Sequence, residues 1–579
     1  MPSTVVDATP LAVAAGFEGR SLALVVFLGF VAVSLLLCGL AAADQDDPEH
    51  FYAGGAALGP AGGGLAIAGD YVSAATLLST TGAVALAGFD GVLFAVATVV
   101  SLVLVMAVLA GPLRRPGVYT LGDFLTERFA DARARHALGV AALVVLFPLL
   151  VVQLATAGRI MTAMFDLPTS AFAGCTVAGG ALMVCYSAFG GMRGTGYVQI
   201  LKIFVVVGVV VLVAGLVLDR FGWSVTSLLD AARNGSGQRA AYGTPGLQFG
   251  HEVAGRLDLI SFQLTLILGA ACMPHITMRL YPLRGTGSAR RATVWAVTPV
   301  AVVCAAVVVI GLGAAALVGA QAIAGADPGG STALLLVTAA LDPTAAGPRE
   351  SVLFAVVACA VFITALSTVA GITLAAASAV VRDLGGRPRR ALESGAIPRT
   401  ATTPRTDTGR HRTDARPDSP PSAGRSMAGE VRLARWVVTG IGAAAVLVAV
   451  GTGGRSPQVF LSYSFAAAAS VLPPVLLFAL FRRGFPAGAV RWTVYGTLPL
   501  ITLLMAFSPA ASGTPIALFP DRDFHWFPLQ TPGLVTIPAG FLFAWLGAVR
   551  AGGHHTGRHA QQAPPRYPPQ SPDPRQFAR

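Results

Sequence analysis

Apolar residues in this chain fall into repeated, uninterrupted runs of about twenty, separated by short polar stretches. A run of that length lets one helix cross roughly 30 Å of hydrocarbon. The runs are continuous rather than alternating, so they predict spanning helices and not the strands of a membrane barrel. Thirteen candidate spans begin near Ser21, Gly59, Gly91, Ala137, Ser170, Gly196, Leu257, Ala292, Ser351, Val431, Pro457, Gly484 and Gly533. The first, from about Ser21 to Ala42, is long enough to span and lacks a basic segment before it. It is therefore read as a span rather than a cleavable signal peptide.

The polar stretches set an orientation. Arg114, Arg115, Arg128, Arg133 and Arg135 follow the third span, and Arg279, Arg284, Arg290 and Arg291 follow the seventh. A dense arginine segment follows the ninth, Arg482, Arg483 and Arg491 follow the eleventh, and the C-terminal tail is basic. All follow odd-numbered spans, so one side collects them. The positive-inside rule makes that side the cytoplasm, with the N-terminus outside and the C-terminus inside. The acidic loop Asp44, Asp46, Asp47 and Glu49 runs against this pattern, but acidic residues contribute little to topology. Residues 385–429 are rich in Arg, Pro, Thr and Ser, and residues 552–579 in Pro, Gln and His. Both are expected to be disordered, the first as a solvated linker or a site for anionic lipid head groups.

Composition agrees with the pattern. Charged residues are 12% of the 579, where a soluble protein of this size carries roughly a quarter. The net charge of +12 would suggest nucleic acid in a soluble domain, but here the arginines are confined to loops and tails, so no nucleic-acid partner is expected. The partner is the lipid bilayer, and the Arg, Ala, Gly and Pro bias suggests a bacterial plasma membrane. Cys38, Cys175, Cys185, Cys272, Cys304 and Cys359 all lie in apolar runs without a Cys-x-x-Cys, and read as small buried hydrophobes. Lys202 is the only lysine in the chain.

Three runs carry candidate chemistry. From Gly62 to Thr76 the second reads GGGLAIAGDYVSAAT. A carboxylate at membrane depth is expensive and marks function by default, the alternative being that Asp70 sits at a helix end and pairs with an arginine. The surrounding glycines predict a discontinuous helix, whose free carbonyls and half-helix ends can hold a cation and an anion. Five spans later, LGAACMPHITMR holds Gly269 and Pro274, a second candidate break, with His275 and Arg279 at i and i+4 on one helical face. Paired interruptions in two halves point to an inverted-repeat transporter with a midplane site. In the ninth run, Thr364, Ser367, Thr368, Gly371, Ala375 and Ser378 form one small, polar stripe. It reads either as close helix packing or as oxygen ligands for a monovalent cation.

Several stretches together resemble the sodium:solute symporter family, and within it the cation/acetate and monocarboxylate branch. They are FYAGG at Phe51, GLAIAGDYVSAA at Gly64, FDG at Phe89, FGGM at Phe189, QILK at Gln199, PHITMR at Pro274 and AAASAVVRDL at Ala375. The resemblance implies an all-α polytopic membrane protein with a LeuT-type 5+5 inverted repeat and about 13 transmembrane helices. Its repeats would cover 59–219 and 257–481, after a segment 1–20 and a first helix 21–42. Peripheral helices would follow at 484–550, then a tail at 551–579. It further implies a sodium site between the second and ninth spans. The carbonyls of Gly69, Val72 and Thr364 and the hydroxyls of Ser367 and Thr368 would be its ligands, with Asp70 beside the family's acidic position. Asp70, Ser73, Gly269, Pro274, His275 and Arg279 are the candidate solute and gating residues. The expected activity is symport of a small monocarboxylate such as acetate, propionate or pyruvate with sodium or another monovalent cation. No catalysis is expected, and no cofactor beyond sodium as coupling ion. Proline, a sugar or another carboxylate is the alternative solute. A channel would need a selectivity filter, and a membrane redox enzyme paired haem-ligating histidines; neither pattern is present.

Overall fold

The computed structural model describes residues 9–41, 51–52, 58–113, 118–129, 131–165, 167–282, 286–342, 351–385, 422–453, 458–482 and 484–552. Its helices are α1 (Thr9–Ala41), α2 (Pro60–Tyr71), α3 (Ala74–Ala87), α4 (Phe89–Leu113), α5 (Leu121–Phe129) and α6 (Ala132–Met164). There follow α7 (Phe172–Arg220), α8 (Val225–Gly235), α9 (Val253–Ala271), α10 (Pro274–Thr277), α11 (Thr286–Leu317), α12 (Ala320–Ala326) and α13 (Ala333–Leu341). The last are α14 (Val352–Leu384), α15 (Ser422–Gly451), α16 (Gln458–Phe481), α17 (Ala487–Ala506) and α18 (Gly533–Gly552). Among the described residues there is no strand, only one bridge between Ser512 and Phe519.

Ten of the described helices are long and apolar enough to cross a membrane, and Leu24–Leu40 within α1 and α3 are shorter apolar helices. At 1.5 Å per residue, the 49 residues of α7 would run to roughly 70 Å, more than twice the hydrocarbon thickness. Gly191 divides it, at φ 51 and ψ −161, a conformation that only glycine adopts without strain. Its two halves are the expected spans near Ser170 and Gly196.

The second and seventh spans are both interrupted. α2 ends at Tyr71, Val72 is extended, and Ser73 starts α3. α9 ends at Ala271, and after Cys272 and Met273 the chain resumes as the single turn α10, with Pro274 at its first position. The glycines expected to make these breaks do something else. A Cβ on Gly69 would lie 2.6 Å from the Gln199 carbonyl oxygen, one on Gly64 2.5 Å from that of Ala292, and one on Gly269 2.6 Å from that of Phe465. They sit inside helix and let α2 approach α7 and α11, and α9 approach α16.

α14 lies at the centre, packed against α7, α6 and α1 with nearly every residue buried. Its hydroxyls are mostly satisfied within the helix: Thr364 donates to Ala360 O (2.6 Å), Ser367 to Ile363 O (2.9 Å) and Ser378 to Leu374 O (3.0 Å). α5, α8, α12 and α13 had no counterpart among the runs, being too short to span. α15 begins at Ser422, inside the stretch expected to be a linker; residues 386–421 and the tail 553–579 lie outside the described residues.

Candidate solute and cation site

Ser73 builds the start of α3 by a capping box. Its hydroxyl accepts from the Thr76 amide (3.1 Å) and the Thr76 hydroxyl accepts from the Ser73 amide (3.4 Å). With Val72 extended, the second span therefore divides into two half-helices whose ends meet at membrane depth. Beside this break is a cavity of about 120 Å³ whose wall includes Asp70, Ser73, Thr76, Gln153, His275 and Thr368. Through Ala75, Ser79, Phe94 and Phe262 it shares its wall with a wider cavity of about 560 Å³. That wider space is bordered by Gln248, Asp327 and Gln530, all in loops after even-numbered spans, so it opens opposite the arginine-rich side.

Asp70 and Arg279 form a buried ion pair across the two interrupted spans. Arg279 reaches Asp70 because the chain leaves α10 at once: its amide bonds to Ile276 O at 3.1 Å and Leu280 N to Thr277 O at 2.9 Å, a tightened turn. His275 and Arg279 thus do not share one α-helical face as their spacing suggested. Gln199 Nε2 donates to Asp70 Oδ1 (2.5 Å) and to Ser367 O (2.9 Å). A Cβ at Gly371 would come within 2.9 Å of Asp70 Oδ1, so the absence of a side chain there admits the carboxylate.

Of the five expected cation ligands, the structure brings two to a common partner. Lys202 Nζ donates to Val72 O at 3.0 Å and to Thr368 Oγ1 at 3.1 Å. The Ser367 hydroxyl turns to its own helix, with the Thr364 carbonyl 3.3 Å away, and Gly69 packs on the Gln199 backbone. Two of the five oxygens expected to hold sodium, Val72 O and Thr368 Oγ1, therefore face the Lys202 side chain. His275 is buried at the cavity wall, and among the described residues its Nδ1 has no partner. Pro274 starts the turn α10, and Gly269 packs against the Phe465 backbone.

Three residues here were not among the sequence candidates. Gln199 and Lys202 stand three apart on one face of α7 and tie the break to α14. The signal for Lys202 was available, since it is the one lysine in the chain and lies inside an apolar run. Gln153 is fully buried in the cavity wall, and among the described residues neither its oxygen nor its nitrogen has a partner. Its sequence neighbourhood is uniformly apolar and gave no such sign.

The opposite end is closed by charges. Arg135 pairs with Asp123 (2.5 Å) and Asp383 (3.3 Å), and Arg382 pairs with Asp123 (2.8 Å) and Glu430 (2.7 Å). Thr120 donates to Asp383 (2.7 Å), and the Arg382 guanidinium lies 4.7 Å from the Tyr119 ring centre and 5.7 Å from that of Tyr52. All of these come from loops after odd-numbered spans or from the helix ends beside them.

Comparison with known proteins fits this geometry. The model of the sodium:solute symporter family matches residues 51–394. The chain is 30% identical over 560 residues to the monocarboxylic acid transporter of Corynebacterium glutamicum, covering 95% of each. It is also 30% identical over 531 residues to the uncharacterized symporter YwcA of Bacillus subtilis, covering 91% of this chain and 94% of that one. Among solved structures, a Na+-coupled sialic acid symporter in a substrate-bound, outward-open state superposes with a TM-score of 0.61 at 14% identity. That match covers 91% of this chain and 98% of the other. It shows a shared LeuT-like fold.

Proposed function

Since the chain belongs to the sodium:solute symporter family and is a membrane transporter rather than an enzyme, we propose that it carries a small monocarboxylate such as acetate, propionate or pyruvate. Transport is by alternating access, driven by the gradient of sodium or another monovalent cation. The observation that carries this reading is the polar wall of the 120 Å³ cavity. The start of the half-helix α3, the unpartnered Gln153 amide and the imidazole of His275 converge there. A helix N-terminus favours an anion, and a buried amide without a partner inside the protein is open to one in the solute. Nearby, Arg279 and Lys202 outnumber Asp70, which leaves an anion electrostatically welcome. The small volume favours a small solute. A relative named as a monocarboxylic acid transporter supports the same class.

With the arginine-rich side taken as cytoplasmic, the cavity faces outward and the Asp123–Arg135–Arg382 cluster closes the inner end. Uptake then needs the outer cavity to close and that cluster to part. The test is uptake and counterflow of radiolabelled acetate in proteoliposomes, under an imposed sodium gradient and then a proton gradient, with propionate and pyruvate as competitors. Accumulation blocked by both competitors is the expected result. Absence of accumulation and of counterflow, with proline or a sugar carried instead, would overturn the solute class.

A further inference from the structure

We propose that Lys202 is the tethered cation of the site between the second and ninth spans, and that sodium does not bind there. The claim goes beyond the solute reading above, because it concerns what holds the break in the second span to α14, whichever solute is carried. The position is the first argument. Lys202 Nζ sits 3.0 Å from Val72 O, at the broken end of α2, and 3.1 Å from Thr368 Oγ1 on α14. A metal ion bridging these helices would have to take up the same two oxygens, and a lysine ammonium is a compact point charge with three donors that can satisfy them. The two cations cannot occupy one position.

Charge is the second argument. Asp70 contributes one negative charge to this buried cluster, and Arg279 and Lys202 one positive charge each, so it carries a formal +1 among the described residues. His275 faces the same cavity. Sodium would enter a buried cluster whose one carboxylate, Asp70, is already engaged by Arg279 and Gln199. Finally, the side chain is fully buried and is the only lysine where every other basic residue is arginine. The one lysine of the chain thus stands where a single compact side-chain nitrogen meets two oxygens on different spans.

The consequence is mechanical. The link between the two spans is supplied from α7 and is part of the chain, so the site is filled irrespective of external sodium. The experiment compares thermal unfolding midpoints of the purified full-length protein in equimolar choline, potassium and sodium chloride. The wild type is expected to show no sodium-selective rise that depends on Thr368, so any rise in sodium should persist in Thr368→Val. Lys202→Ala, which frees Val72 O and Thr368 Oγ1, is expected to melt lower in choline and to gain a rise selective for sodium over potassium. Lys202→Gln, closer in volume, serves if the alanine variant does not fold. A saturable, sodium-selective rise in the wild type that Thr368→Val removes would overturn the proposal. Failure of the monocarboxylate reading shows differently, as no acetate counterflow in any salt, and leaves the melting comparison to stand by itself.

Discussion

Asp70, at the end of the first half of one interrupted span, and Arg279, just past the break in the other, meet as an ion pair in which both side chains are almost fully buried. Each break is thereby held by the other. Removing one partner strands a buried charge, which costs about 3–5 kcal/mol in soluble proteins. Asp70→Asn and Arg279→Gln are each expected to lower the melting temperature sharply and to abolish uptake. The double variant, with no net buried charge left from the pair, is expected to be more stable than either single one. A double-mutant cycle on melting in detergent measures that difference; additive losses would remove the pair from the account.

Gly69 in α2 and Gly208 in α7 separate two roles that composition alone merges. A methyl at Gly69 would lie 2.6 Å from the Gln199 carbonyl oxygen, a backbone atom that cannot step aside. Gly69→Ala is therefore expected to destabilise by about 1–3 kcal/mol, as overpacking does, and to impair uptake by pushing α2 off α7. Gly208, with nothing within 4 Å of its would-be Cβ, is the contrast. Gly208→Ala is expected to be neutral or to stabilise by up to about 1 kcal/mol from helix propensity. Melting temperatures of the two variants make the comparison.

This distinction also marks what the sequence could convey. Long apolar runs are a property of single segments, so the spanning helices were legible from them. Two breaks were expected, one from Gly269 and Pro274 and one from the glycines around Asp70, and both spans are interrupted although those glycines serve packing instead. Where the second span breaks was not legible, because Ser73 and Thr76 had to be read as a capping pair rather than the glycines as breakers. The partners of Asp70 were beyond reach for a different reason. Gln199 and Arg279 lie 129 and 209 residues away along the chain, and only packing brings them together. Gln153 is the extreme case: an amide in an apolar run becomes noteworthy only when its surroundings offer it nothing to bond.

Ser73 holds two functions that can be separated. Losing an N-cap costs about 0.5–2 kcal/mol, so Ser73→Ala should melt lower and bind solute less well. Ser73→Asp restores a capping oxygen but sets a negative charge where the solute carboxylate is proposed to sit. It is expected to recover much of the stability while raising the KM for acetate at least about tenfold, or 1.4 kcal/mol. Equal recovery of stability and KM would remove the carboxylate from this end of α3.

Gln153 gives the opposite signature. Replacing a buried polar group that has no partner with an apolar one of similar shape is neutral or stabilising. Gln153→Leu is expected to keep or raise the melting temperature while increasing the KM for the solute by about tenfold or more, the loss of one hydrogen bond of roughly 1.4 kcal/mol. Melting and uptake kinetics on the same preparation provide the test, and a drop in stability with unchanged KM would make Gln153 structural.

The charged cluster at the far end is expected to set the balance between the two ends. Asp123 is its hub, accepting from Arg135 and Arg382 at once, while Glu430 accepts from Arg382 and lies nearer solvent. Asp123→Asn weakens two charge-assisted bonds, worth about 1.5–3 kcal/mol each when intact, that exist only while this end is closed. The equilibrium should therefore move toward the conformation open on the arginine-rich side, by a tenfold change for every 1.4 kcal/mol lost. Cys272, buried at the break between α9 and α10, can report it. In a background without the other five cysteines, a membrane-impermeant alkylating reagent applied from the arginine-rich side should label Cys272 faster in Asp123→Asn than in the parent. Glu430→Gln should give a smaller increase in the same assay, because it removes one acceptor from a guanidinium that Asp123 still holds. Equal labelling in all three would mean that the cluster is a fixed part of the scaffold and does not part during transport.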